Sequence, residues 1–228
     1  MKKLIIMLII PLIAIIWTGS SSDNNVSISI PKPTEAQYTD KNGVGYNDSG
    51  SGSLSTAAFK NKKKDVVIPE KIQGKKVKAI GKSSFKMSKA ETVIIPDTVD
   101  AIEDYAFAFS RTLKKVIIPD SVKYIGINAF AGCTSLTEIK LPKKLETIGM
   151  YSFDASGLKK VTIPKSVKTV GEYAFAECKN LKDVTFKGKN TELADTVFNH
   201  SISVAITAPK KSKAISFAQE NGIEYKVK

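Results

Sequence analysis

The sequence predicts a repeat solenoid of 22–23-residue units, with parallel β-strands, short helical turns and a C-terminal helix–strand cap. Three observations carry this. Proline closes an apolar phrase at Pro69, Pro96, Pro119, Pro142 and Pro164, the last four spaced by 23, 23 and 22 residues. A branched apolar residue opens a second phrase at Ile80, Ile102, Ile125, Ile148 and Val170, and a Phe follows each five residues later, at Phe85, Phe107, Phe130, Phe153 and Phe175. Whole phrases also recur: VIIPDSVKYIGINAFAGC (Val116 to Cys133) returns as VTIPKSVKTVGEYAFAEC (Val161 to Cys178).

The elements follow in chain order. Lys2 and Lys3 precede an apolar run of 14 residues, Leu4 to Trp17, and the small polar stretch TGSSSDNN comes after it. Residues 1–22 therefore read as a secretory signal peptide, or as an N-terminal anchor if uncleaved, the run being short against the roughly 20 residues of a membrane span. Ser20 stands where a lipoprotein signal carries Cys, which argues against lipid anchoring. Residues 23–58, rich in Ser, Gly and Asn, read as a flexible linker.

Residues 59–209 are the solenoid, with about five full units and a degenerate one that keeps Leu193 and Phe198. In a phrase such as LKKVIIP, apolar and polar residues alternate with the period of a strand that has one buried face. Proline, lacking an N–H, ends the strand's ladder. SVKYIG returns as a second short extended piece, and its Gly permits the next bend. The stretch around AF is too short for a strand and suits a helical turn with Phe inward. One unit cannot bury its apolar side alone, so copies stack. Residues 210–228 read as the cap: Ser212 as helix N-cap, Ile215 and Ala218 on its apolar stripe, Gly222 as the stop, then the strand IEYKV.

The pattern L-x-x-V-x-I-P-x-S-V-x-x-I-G-x-x-A-F-x-x-C, quoted nearly in full by residues 113–133 and 158–178, resembles the BspA-type leucine-rich repeat family. The resemblance covers residues from about Asp65 onward. QGKK is inserted in the first unit, Glu103 replaces the Gly, and the last unit lacks its IG. It implies a short leucine-rich-repeat coil on a bacterial surface or secreted protein of the adhesion type. Members of that family are linked with host extracellular matrix, fibronectin included, and with attachment to other cells.

The residues give no catalytic constellation, cofactor motif or metal set. His200 is the single histidine and has no Cys or second His at ligand spacing. Cys133 and Cys178 hold the same position of units two coils apart, with serines there in the other units. At about 4.8 Å per coil their Cα atoms stand roughly 9–10 Å apart, beyond disulfide reach, so two free thiols are expected. The net charge of +13 comes from 34 Lys and one Arg, Arg111, a balance that suits attraction to acidic surfaces more than bidentate reading of nucleic acid. With export and no interleaved aromatics, nucleic acid is not an expected partner.

What remains is surface. The residue two before each proline faces opposite to the buried pair: Val67, Ile94, Ile117, Lys140 and Thr162, with Thr185 in the corresponding place of the next strand. Two residues earlier stand Asp65, Thr92, Lys115, Glu138, Lys160 and Asp183. The candidate partner-binding residues are Val67, Ile94, Ile117, Lys115, Lys140, Lys160 and Thr162. The expected function is an exported, non-enzymatic protein-recognition module binding a matrix or cell-surface protein. The alternative is an envelope protein holding anionic wall polymer by charge. Membrane contact is expected only through the N-terminal segment.

Overall fold

The computed structural model describes residues 36–50, 52–60 and 62–228. The expected signal or anchor, residues 1–22, and residues 23–35 of the expected linker lie outside the described residues. The chain enters through β1 (Tyr38–Thr39), β2 (Val44–Asp48) and β3 (Ser53–Phe59), two antiparallel pairings in series. β4 (Asp65–Val67) is the first of the proline-terminated strands. The inserted QGKK supplies the turn and first residues of a hairpin between β5 (Lys71–Ile72) and β6 (Lys75–Ile80), with Gln73 and Gly74 in the turn at φ of 49° and 80°.

The units then wind regularly through β7 (Thr92–Ile94), β8 (Ala101–Ile102), β9 (Lys115–Ile117), β10 (Tyr124–Ile125), β11 (Thr147–Ile148), β12 (Lys160–Ile163), β13 (Thr169–Val170), β14 (Asp183–Phe186) and β15 (Glu192–Leu193). β16 (Ala205–Ala208), the helix α1 (Lys213–Glu220) and β17 (Glu224–Val227) complete the coil. Ser212 caps α1 as expected, its hydroxyl accepting from the Ile215 N–H.

Each repeat but the one holding residues 138–140 lends one strand to each of two sheet faces. The short strands before each Phe form one continuous sheet, β6-β8-β10-β11-β13-β15, entered through β1-β2-β3. The strands of the proline register, most of them ended by proline, form the other face in two pieces, β4-β7-β9 and β12-β14-β16-β17. Between them residues 138–140 contribute a single bridge, Glu138 to Lys160.

The linker reading needs correction over its second half. Residues 36–59 are part of the fold: Val44, Tyr46 and Leu54 are fully buried, and β3 pairs in parallel with β6. The Gly and Ser residues that suggest flexibility make the turn between β2 and β3, where Gly50 and Gly52 take φ of 82° and 72°. Tyr46 donates its hydroxyl to Asp40 at 2.9 Å, and burial raises its pKa further than the nearby Asp40 charge does.

The turn around each Phe is built of successive β-turns closed by single i→i−3 bonds, with residues such as Tyr105 and Phe109 in the left-handed region at φ of 57° and 58°. Ala106, Ala108 and Ser110 donate three residues back, to Glu103, Tyr105 and Phe107. The alternate amides, of Tyr105, Phe107 and Phe109, donate to Ile127, Ala129 and Ala131 of the next coil at 2.8, 2.7 and 2.7 Å. The turn is thus a third ladder between coils.

Where Gly precedes the turn the coils approach closely: a Cβ on Gly149 would lie 2.7 Å from the Gly126 carbonyl carbon. The Phe column inside is continuous. Phe59, Phe85, Phe107, Phe130, Phe153, Phe175 and Phe198 stack with centroids 5.0–5.9 Å apart, and Phe217 of α1 closes the column edge-on at 6.1 Å.

Candidate functional site

The candidate site is the outer face of the strands that run into the corner prolines. Parallel pairing sets Val67 beside Ile94 and Ile94 beside Ile117. Strand alternation turns these three outward, while Val66, Val93 and Val116 point into the core. Val67, Ile94 and Ile117 are 54%, 36% and 43% exposed, whereas most other Val and Ile side chains among the described residues are buried. The expected apolar stripe therefore exists as a continuous column on β4, β7 and β9.

Past Ile117 the column changes character. Lys140 stands exposed in the interrupted stretch between the two sheet pieces. Thr162 then begins a threonine column, in register with Thr185 and Thr207. The neighbouring outer column carries Lys115 next to Thr92, and Lys160 between Glu138 and Asp183. Lys160 is bound to Glu138 at 3.0 Å. Among the described residues no acid stands within ion-pair distance of Lys115 or Lys140, although the Asp120 carboxylate acts on Lys140 at longer range. The seven candidates thus divide: Val67, Ile94, Ile117 and Lys115 share one sheet piece, Lys160 and Thr162 the other, and Lys140 marks the gap.

The corner just after the prolines adds a feature that the strand pattern did not single out. Its first residues are acidic, Glu70, Asp97 and Asp120; its later ones are Lys143, Lys144, Lys165, Lys187, Lys189, Lys210 and Lys211, all exposed. The repeat brings residues 22–23 apart together, so this charge ridge appears only when units are aligned.

Both cysteines are free and buried. The Cys133 thiol donates to the Phe107 carbonyl at 3.2 Å, and burial pushes its pKa up to about 12; that of Cys178 rises to about 11 for the same reason. Such thiols are inert packing groups. His200 lies exposed, its Nδ1 2.6 Å from a Glu177 carboxylate oxygen. Among the described residues no three His, Cys, Asp or Glu side chains gather where a metal ion fits. Nor is any helix among them long and apolar enough to cross a membrane.

Six copies of the BspA type Leucine rich repeat region match this chain, over residues 52–154 and 101–219. The chain belongs to the BspA-type leucine-rich repeat family. Among solved structures it resembles a leucine-rich repeat protein from Bacteroides ovatus, at 30% identity and a TM-score of 0.65, over 75% of this chain. The match spans 47% of that protein's chain, so this chain covers about half of its relative's length. It also resembles the T. pallidum Leucine Rich Repeat protein, at 23% identity and a TM-score of 0.71, over 83% of this chain and 98% of that one. No curated protein matches. The leucine-rich repeat assignment places the parallel coil described above in a family whose repeated outer positions suit protein contacts.

Proposed function

We propose that this leucine-rich repeat protein is an exported, non-enzymatic recognition module of the adhesion type. It acts at the cell surface or after secretion and binds a host matrix or cell-surface protein through the face of β4, β7 and β9. The observation that carries the reading is the column Val67–Ile94–Ile117, three outward aliphatics in register on adjacent strands. Outward aliphatics aligned on a rigid sheet give a partner a dry centre, and Lys115 and Lys140 at its border add long-range attraction.

A second reading rests on a different observation. The ridge from Lys143 to Lys211 and the net charge of +13 support an envelope protein that holds anionic wall polymer. Here affinity comes from charge alone and is screened by salt.

One experiment separates the two. Residues 33–228, a compact unit with its own continuous core, are tested against immobilised fibronectin, other matrix proteins and anionic wall polymer at low and high salt. The parent is compared with Ile94→Glu/Ile117→Glu. Salt-resistant binding to a matrix protein, lost in the double variant, is the expected result. Salt-sensitive binding to every acidic surface, unchanged by the variant, overturns the first reading in favour of the second.

A further inference from the structure

The second piece of the strand face ends differently from the way it runs. Val161, Val184, Ile206 and Tyr225 stand in one register column, as do Ala208 and Val227. Val161, Val184 and Ile206 are 3%, 0% and 0% exposed, but Tyr225 is 39% exposed; Ala208 is fully buried, but Val227 is 51% exposed. All four residues of β17 are exposed, and no strand lies against its outer edge among the described residues.

The backbone of that edge is oriented. Lys228 donates its N–H to the Ala208 carbonyl of β16 at 3.1 Å. A strand alternates the sides to which its amides point, so Lys226 and Glu224 also face β16. The N–H and C=O of Tyr225 and Val227 then point outward, a ready template for another strand.

We propose that β17 pairs antiparallel with β17 of a second copy of this chain, about a two-fold axis through Tyr225. Charge selects this occupant and this register. With Tyr225 opposite Tyr225, the two outward-facing residues exchange both backbone hydrogen bonds. Glu224 of each copy then faces Lys226 of the other, at the close spacing of a non-hydrogen-bonded pair, about 4.5 Å between Cα atoms. Moving the axis to Lys226 sets two lysines face to face, and moving it to Glu224 sets two glutamates face to face. The contact is self-complementary, as an isologous interface requires.

A two-fold axis normal to the sheet keeps both copies' outer faces on the same side. The dimer therefore presents two Val67–Ile94–Ile117 columns in one direction, an arrangement that raises avidity without any new contact. The pairing itself does not depend on what those columns bind.

Sedimentation equilibrium of residues 33–228 tests the proposal. The parent is expected to show a concentration-dependent monomer–dimer equilibrium. Glu224→Lys and Lys226→Glu each replace two attractive pairs by two repulsive ones, and each should weaken the dimer about tenfold or more. The double variant Glu224→Lys/Lys226→Glu restores the pairs and should restore the dimer. Urea unfolding of each variant checks that the fold is kept. A parent that stays monomeric at every concentration overturns the proposal, as does a dimer indifferent to the single reversals.

Discussion

The Cys178 thiol donates to the carbonyl oxygen of Phe153, one coil back, at 3.1 Å. The same bond is made one position along the array by Ser201 to Phe175 at 2.8 Å, and earlier by Cys133 to Phe107 and Ser110 to Phe85. In these four units the small residue three after the Phe is thus a hydrogen-bond donor to the preceding coil, filled by thiol or hydroxyl alike, while Ser88 and Ser156 meet Ser110 Oγ and Cys178 Sγ of the following coil. Cys178→Ser should keep the bond and cost about 1 kcal/mol or less, whereas Cys178→Val leaves the Phe153 carbonyl without its donor and should cost about 1–3 kcal/mol. Both native thiols should resist alkylation at pH 8 and react fully only in denaturant. Rapid labelling of the native protein would contradict the burial of this column.

The Phe stack bears weight unevenly. Phe130 lies between Phe107 at 5.0 Å and Phe153 at 5.3 Å and is fully buried. Phe130→Ala should cost about 3–5 kcal/mol by urea denaturation. Phe59 opens the stack, with Phe85 as its single ring neighbour among the described residues at 5.0 Å, so Phe59→Ala should cost distinctly less.

At Gly149 backbone packs on backbone. A methyl group there would meet Gly126 C, Gly126 O and Ile125 O at 2.7–2.9 Å, none of which is a flexible side chain. Gly149→Ala should therefore destabilise by about 1–3 kcal/mol through a shift between coils. Wild-type stability in that variant would mean that the coils are spaced more widely than described.

Acid should loosen the array at Glu91. Lys114 at 2.6 Å and Lys64 at 2.7 Å hold its carboxyl at about 2, below the ordinary 4.5. Because the folded value lies below the unfolded one, the contribution is present above about pH 4.5 and fades as pH falls toward 2. The stability gap between the parent and Glu91→Gln should be largest near neutral pH, shrink across that window, and be reduced by salt. A gap that widens on acidification would reverse the sign of the argument.

Truncation tests the corrected boundary. Removing residues 36–59 takes away β1 to β3 and uncovers Phe85 and the edge of β6. The shortened chain should lose stability cooperatively, measured as a lower urea midpoint, where removal of a true linker would leave the midpoint unchanged.

Sequence by itself determined what repeats. Pro96, Pro119, Pro142 and Pro164 at nearly constant spacing, with a Phe in every unit, specify a coil, its register, the inward Phe column and the outward Val67–Ile94–Ile117 column. A repeat makes these legible because the same local pattern is stated many times and neighbours are fixed by the period. The tertiary structure decided what does not repeat. β2 and β3 look like linker because the Gly- and Ser-rich stretch NDSGSGSLST runs across them and their turn, and only docking on β6 shows Tyr46 and Leu54 to be core. The break at residues 138–140, the lysine ridge and the unfilled edge of β17 are likewise properties of stacked coils. They arise from which chains lie side by side, a relation between residues one repeat apart that no local propensity encodes.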